Sequence, residues 1–96
     1  MSGTTVSSVT LDDPRRRKLL FRAWHRGMLE MDLILGPYAD EFVGEMDAAT
    51  LDRFEELMNE NDQELYKWVL GDKAIPEEWE GPLLRSIIAH RQERIG

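Results

Sequence analysis

Apolar side chains recur every three or four positions along most of this 96-residue chain, the spacing that places them on one face of an α-helix. Glycine, proline and short polar runs divide the pattern into five segments. The sequence shows no run of alternating apolar and polar residues that would indicate a strand. The pattern predicts an all-α fold, a compact five-helix bundle over residues 12–96, preceded by a disordered tail of small polar residues at positions 1–11.

Residues that start and stop helices predict where each segment begins and ends. The first helix is expected to start at residues 12–14, with an acidic cap and a proline, and to run to Gly27, which can adopt positive φ. Pro37 lies inside the second helix and predicts a kink or a break there. The other predicted boundaries are Asp47, Asn61 with Glu64 as a capping box, Gly71, and Gly81-Pro82.

The spacing of apolar residues also predicts which side chains are buried. The three tryptophans are expected to pack in the core or at its rim rather than to serve as stacking platforms. The predicted core is Leu20, Phe21 and Trp24 in the first helix; Met31, Ile34, Leu35, Tyr38 and Phe42 in the second; Leu51, Phe54, Leu57 and Met58 in the third; Leu65, Trp68 and Val69 in the fourth; and Leu84, Ile87 and Ile88 in the fifth.

The composition excludes several classes of protein. Apolar residues make up 42% of the chain and charged residues 32%, which fits a folded, well-solvated domain. Cysteine is absent, so disulfides, thiol nucleophiles and cysteine-bound metals are excluded. No apolar run is long enough to cross a bilayer, and residues 1–10 lack the features of a secretory signal. We therefore expect a cytoplasmic protein that does not insert into a membrane.

The net charge of −7 is unevenly distributed. Residues 11–27 carry six basic and two acidic side chains, whereas residues 28–80 carry sixteen acidic and three basic ones. The basic run at residues 15–18 would point in several directions around a helix, and the chain's pI is about 4.7. Both features argue against nucleic-acid binding, which usually accompanies a basic domain.

The sequence contains no recognisable catalytic constellation. His25 and His90 lack partners at metal-ligand spacing, and His90 is interpreted as a cation near the end of a helix. The glycines do not form a phosphate-binding loop, and residues 59–64 lack the glycine and distal glutamate of a calcium loop. These observations favour a protein that binds a partner.

The junction between the first and second helices is the strongest candidate for a binding site. Arg26 would lie near a helix C-terminus, while Glu30 and Asp32 would lie in or just after the first turn of the next helix, and helix dipoles favour both arrangements. Gly27 leaves bare backbone between the opposed charges, so another chain could approach closely. The residues alone leave two interpretations open, a recognition site or simple helix punctuation.

Two motifs resemble those of the SdhE family, the flavin assembly factors of succinate dehydrogenase. Residues 26–30, Arg-Gly-Met-Leu-Glu, match the family's RGxxE signature, and Met31-Asp32 resembles its usual extension. Residues 64–71 resemble the family's Leu-Tyr-x-Trp helix, although the expected acidic residue is replaced by Gln63-Glu64, with Asp62 nearby. The resemblance covers roughly residues 15–94, and the tail is longer than in the shortest members.

The resemblance implies a fold, a partner and a function. Family members are five-helix bundles that bind the flavoprotein subunit of succinate dehydrogenase, and in some bacteria that of fumarate reductase. They promote covalent attachment of FAD to a histidine of that subunit. The resemblance thus implies a bacterial cytoplasmic assembly factor, monomeric when free, without a tightly bound cofactor of its own, that meets FAD only in the partner.

The resemblance also assigns roles to individual residues. It implies that Arg26, Gly27, Glu30 and Asp32 bind the partner, with His25 and Arg22 as secondary candidates on neighbouring turns. Gly27 would allow close backbone contact, while Arg26 and Glu30 would form polar bonds. Three alternatives remain at this point: an antitoxin-like or cytoskeletal regulator, a weak FAD carrier, and a flavin ligase, which the absence of a visible nucleophile disfavours.

Overall fold

The computed structural model of the chain describes residues 13–95, and these form five α-helices and no strand. The all-α prediction is therefore confirmed over this range. The predicted tail, residues 1–11, and Asp12 lie outside the described residues. The predicted acidic cap and proline are confirmed, because Asp13 caps the first helix and Pro14 begins it. The helices are α1 (Pro14–Trp24), α2 (Leu29–Phe42), α3 (Ala48–Met58), α4 (Asp62–Leu70) and α5 (Pro82–Ile95), with 3₁₀ turns at Val43–Glu45 and Glu77–Trp79.

One hydrophobic core gathers side chains from all five helices. The stripes predicted for α3 and α4 are fully buried, and Trp68 and Trp79 are each 5% exposed, as expected for core packing. In the other helices a few predicted core residues lie nearer the surface. Phe42 is 37% exposed, and Ile88 is only partly buried. The largest fully buried side chains are Phe54, Leu19, Met31, Leu35, Leu57, Leu65, Leu84, Ile87 and Val43.

Helix α1 differs from its prediction in both its end and its buried face. It ends at Trp24, earlier than the predicted stop at Gly27, with His25 as its C-cap. The buried residues are Leu19 and Ala23, so the helix is rotated relative to the predicted face and Phe21 is 61% exposed. Gly27 does not adopt positive φ, so its conformational freedom does not explain the end of the helix.

Helix α2 runs through Pro37 without the predicted break. A proline has no N–H, so the carbonyl four residues earlier, that of Leu33, loses its helical donor. Arg94 near the end of α5 supplies a replacement, because its Nη1 lies 3.2 Å from the Leu33 oxygen. A cation from a neighbouring helix thus satisfies the carbonyl that the proline leaves free.

Gly36 allows α1 and α2 to pack closely. A Cβ at this position would lie 2.3 Å from Cδ2 of the Trp24 indole, a distance that real contacts do not reach. The indole Nε1 donates to Oδ1 of Asp40 at 3.0 Å, one helical turn further along α2. The glycine and Asp40 together fix Trp24, the last residue of α1, against α2.

This contact yields a stability prediction. Gly36→Ala should lower the free energy of unfolding by about 1–3 kcal/mol, because overpacking the indole outweighs the roughly 1 kcal/mol gained in helix propensity. Chemical denaturation followed by far-UV circular dichroism measures the change. In a Trp24→Leu background, which removes the obstructing ring, the same substitution should be nearly neutral or stabilising. A stabilising effect in the wild-type background would contradict the packing argument.

The predicted caps of α3 and α4 are present. Asp47 accepts from the Thr50 backbone N–H at 2.8 Å, and Asn61 accepts from the N–H groups of Gln63 and Glu64 at 2.9 and 3.2 Å. Glu64 does not complete the capping box, because it bonds to Lys73 instead, which lowers the pKa of the Glu64 carboxyl. Gly71 ends α4 at φ +82°, the left-handed conformation that glycine tolerates best.

His90 does not occupy the helix end at which it was predicted. His90 lies five residues before the last residue of α5, is 8% exposed, and packs edge-on against Tyr38 and Phe42. Its Nε2 lies 2.6 Å from Oε2 of Glu41. No local pattern around His90 indicates this role, since it depends on how α5 packs against α2. His90 is a core histidine that links these two helices.

Candidate functional site

Four residues, 25–28, connect α1 to α2 without a regular turn. The last turn of α1 closes with a hydrogen bond from the His25 N–H to the Arg22 carbonyl at 3.3 Å. Met28 is the N-cap of α2 in extended backbone, and its carbonyl accepts from the N–H groups of Met31 and Asp32. Because Met28 has no capping side chain, the connection is held from outside, by residues on other elements.

Arg26 is the main anchor of this connection. Its side chain is 8% exposed, and its Nε lies 2.8 Å from Oδ1 of Asp62, the first residue of α4. Nη2 lies 3.4 Å from the Glu60 carbonyl and Nη1 lies 3.5 Å from Sδ of Met58. The guanidinium therefore ties the α1–α2 connection to the α3–α4 connection, and most of its donors are used within the chain.

Asp62 also binds the backbone of the next residue. Its Oδ2 accepts from the Gly27 N–H at 2.6 Å, so one carboxylate holds both an arginine side chain and the adjacent amide. A Cβ on Gly27 would lie 3.0 Å from the same Oδ2, and the space is therefore needed for this bond. The N-terminus of α4 further favours the negative charge of Asp62.

Asp32 secures the connection from the α2 side. Its Oδ1 accepts from the Arg26 N–H at 2.5 Å. The structure thus brings three predicted site residues, Arg26, Gly27 and Asp32, into one hydrogen-bonded cluster with Asp62. This cluster fixes the backbone between the two helices.

Glu30 differs from the other members of the motif. It lies in the first turn of α2, is exposed, and among residues 13–95 its side chain has no hydrogen bond or ion pair. A carboxylate in this position gains some stability from the helix dipole but is otherwise free to bind a donor on another molecule. Of the predicted site residues, Glu30 has the geometry of a group presented to a partner.

The two secondary candidates flank the cluster on α1 and its C-cap. His25 is exposed, stacks on the Phe21 ring at 3.9 Å between centroids, and its Nδ1 lies 2.8 Å from the Phe21 carbonyl. Arg22 donates from Nη2 to Oδ1 of Asn59 at 2.8 Å, a second link to the α3–α4 connection. An exposed aromatic pair thus borders the connection.

Sequence reasoning noted Asp62 but did not assign it a function. The available signal was an acidic residue directly after the Asn61 cap, close to the Leu-Tyr-x-Trp helix. Its partner, Arg26, is 36 residues away, and helical periodicity says nothing about contacts at that separation. Only the packing of α4 beside the α1–α2 connection identifies the pair.

The described part of the chain offers little else for catalysis. Within residues 13–95 no group of three histidine or acidic side chains could hold a metal ion. No helix between Asp13 and Ile95 combines the length and apolar character needed to cross a bilayer. A cavity of about 390 Å³ lies between Tyr38, Arg53 and Trp79, and none of the predicted site residues lines it.

Comparison with known proteins identifies the family. Residues 17–91 match the family described as the flavinator of succinate dehydrogenase. The chain belongs to this family. The matched range contains the exposed Glu30 and all four residues of the cluster, including Asp62.

Relatives of this flavinator-family chain occur in bacteria and in mitochondria. It is 35% identical over 97 residues to the FAD assembly factor SdhE of Acetobacter pasteurianus, an alignment that covers 99% of this chain and 89% of that one. It is 33% identical over 75 residues to mitochondrial succinate dehydrogenase assembly factor 2 of Dictyostelium discoideum, and 34% over 64 residues to that of Schizosaccharomyces japonicus. Those alignments cover 53% and 45% of the mitochondrial proteins, so the chain spans about half their length. No solved structure matches the chain.

Proposed function

We propose that this chain is an assembly factor that binds the flavoprotein subunit of succinate dehydrogenase and promotes covalent attachment of FAD to it. One observation carries the proposal: an exposed, unpartnered Glu30 stands next to a backbone connection that polar contacts within the chain hold in place. Membership of the flavinator family and the names of the relatives support the choice of partner. The same partner class includes the flavoprotein subunit of fumarate reductase.

The predicted site residues have separate tasks in this proposal. Glu30 forms a charge-assisted hydrogen bond to a donor on the flavoprotein, and the exposed Gly27 and His25 let that surface approach the backbone. Arg26 and Asp32, with Asp62, set the position of the connection, and Arg22 supports it through Asn59. Arg26 thus acts at the interface chiefly by fixing its neighbours, since its guanidinium is bound within the chain.

The contribution to flavin attachment is one of positioning. FAD supplies the reactive ring, and the partner supplies the histidine that becomes linked to it. A rigid surface docked on the flavoprotein favours the arrangement in which these groups are aligned, and alignment of bound groups contributes up to roughly 7–11 kcal/mol in the best intramolecular reactions. In this proposal the chain is not itself an enzyme and acts in the bacterial cytoplasm as a monomer.

Reconstitution tests the proposed function directly. Purified apo-flavoprotein subunit is mixed with FAD, with and without this chain, and covalent flavin is read as fluorescence of the subunit after denaturing electrophoresis. We expect the chain to accelerate attachment at least tenfold. An equal rate without it, together with no detectable complex, would reject the proposal. Recovery of a small membrane toxin rather than the flavoprotein in a pull-down would favour the antitoxin-like alternative.

Free FAD provides a separate prediction. Addition of the chain to a micromolar solution of FAD should leave the flavin fluorescence unchanged. The proposal places the cofactor in the partner, and the glycines of the chain form no phosphate-binding loop. Addition of the apo-flavoprotein subunit to the same sample serves as the positive control. Saturable quenching by the chain alone would instead support the FAD-carrier alternative.

A further inference from the structure

Two exposed leucines lie on α2 beside the unpartnered carboxylate. Leu29 is 67% exposed and Leu33 is 51% exposed, although both are large apolar side chains in a regular helix. Residues four apart share a helix face, and Glu30 precedes Leu33 by three positions, so the three side chains form one continuous stripe. An apolar stripe left in water next to a free charge is typical of a protein-binding surface.

The backbone beneath this stripe is held rigid. Arg94 binds the Leu33 carbonyl that Pro37 leaves free, and Asp32 and Asp62 hold the connection that leads into Leu29. Met31 and Ile34, on the opposite side of the same turns, are 0% and 6% exposed and anchor the helix in the core. The backbone positions of the two leucines are thus set before any partner arrives, which reduces the entropic cost of docking.

We propose that Leu29, Leu33 and Glu30 form one docking stripe for the flavoprotein subunit. The complementary surface would be an apolar depression that takes both leucines, with a cationic or N–H donor at its edge facing Glu30. This inference rests on the proposed function and extends it from the motif to the two leucines. A few side chains packed into desolvated pockets usually carry most of the affinity at an interface, and the two leucines would have to fill such pockets to act as anchors.

A second copy of this chain is a poorer occupant of the stripe. A two-fold contact would place the same patch on both sides and bring two unpaired glutamates together without a cation. The net charge of −7 on each copy adds long-range repulsion. The stripe contributes only part of the roughly 1,200 Å² that a specific interface buries, so the partner must add contacts outside it. A larger partner that supplies donors and additional contacts meets these requirements.

The test compares matched leucine substitutions. Leu29→Ser/Leu33→Ser should weaken binding to the apo-flavoprotein subunit by roughly 10- to 100-fold, because two anchors lose their apolar burial, while the melting temperature stays within a few degrees. Leu70→Ser is the control, since Leu70 is an exposed leucine (36%) on α4. Leu29→Met/Leu33→Met, which keeps the apolar surface, should bind within about threefold of wild type. Biolayer interferometry gives the affinities.

The outcomes separate this inference from the proposed function. If the wild-type chain binds and accelerates flavin attachment but the double serine variant binds equally well, the leucine stripe is rejected and the proposed function stands. If the wild-type chain does not bind at all, both are rejected. If the wild-type chain sediments as a dimer and the double serine variant as a monomer, the stripe serves self-association and the inference is overturned.

Discussion

Asp62→Ala is expected to lower the free energy of unfolding by about 3 kcal/mol and to reduce flavin attachment with it. The substitution leaves the Arg26 guanidinium without its carboxylate and the Gly27 N–H without an acceptor. The side chains of Arg26 and Asp62 are 8% and 17% exposed, so solvent can compensate only partly. Breaking a buried ion pair by removing one partner costs roughly 3–5 kcal/mol, and access of water to Asp62 favours the lower end. Urea denaturation measures the loss.

Two further variants show whether the carboxylate itself is responsible. Asp62→Asn keeps one acceptor oxygen but turns an NH₂ donor toward the N–H of either Arg26 or Gly27, so its free energy of unfolding should lie between those of wild type and alanine. Asp72→Ala removes an exposed carboxylate just after α4 and should be neutral within about 0.5 kcal/mol. If Asp62→Ala proved as stable as Asp72→Ala, the cluster would not hold the connection, and Arg26 would be available for direct partner contact.

Glu30→Ala should reduce binding of the flavoprotein and flavin attachment by roughly 10- to 100-fold while the protein remains folded. A hydrogen bond to a charged group contributes about 1.5–3 kcal/mol, which corresponds to this range of affinity. The side chain has no partner among residues 13–95, so stability should fall by at most about 1 kcal/mol, the contribution of the α2 dipole. Thermal denaturation and the in-gel flavin assay measure the two effects separately.

The controls for Glu30 vary charge and position. Glu30→Gln keeps the shape and an acceptor but loses the charge, and should show a smaller loss of activity than alanine. Glu45→Ala, an exposed glutamate in the 3₁₀ turn after α2, should behave as wild type in both assays. Glu30→Ala protein that was unfolded, or that was folded and fully active, would contradict the assignment of Glu30 as the presented group.

The helices could be predicted because their signals are local. The periodic leucines of α3 and α4 and the caps at Asp47, Asn61 and Gly71 lie within a few residues of the structure that they determine, and each was found where predicted. The break that Pro37 could have caused is absent, because Arg94 binds the free carbonyl of Leu33 from 61 positions away, a contact that no local pattern reveals. Gly36 is tolerated inside α2 for a similar reason, since the ring of Trp24 occupies its open side.

The sequence could predict where the candidate site lies but not which of its residues are buried and which are exposed. The RGxxE motif located the connection between α1 and α2 correctly. From the sequence alone, its arginine and glutamate are expected to be equally exposed, because the actual exposure depends on what packs beside each one. Asp62 on α4 buries Arg26, whereas no described side chain binds that of Glu30. That difference comes from tertiary packing, which a pattern over a few residues does not encode.

Hydrogen–deuterium exchange of the complex with the apo-flavoprotein subunit tests the central claim most directly. We predict that binding slows exchange in peptides covering residues 25–34 and leaves the loop after α4, residues 71–75, unchanged. The connection and the first turn of α2, which carries Glu30, would then lie in the interface. Protection of residues 71–75 without any change at residues 25–34 would place the partner elsewhere on the bundle and contradict the proposed mechanism.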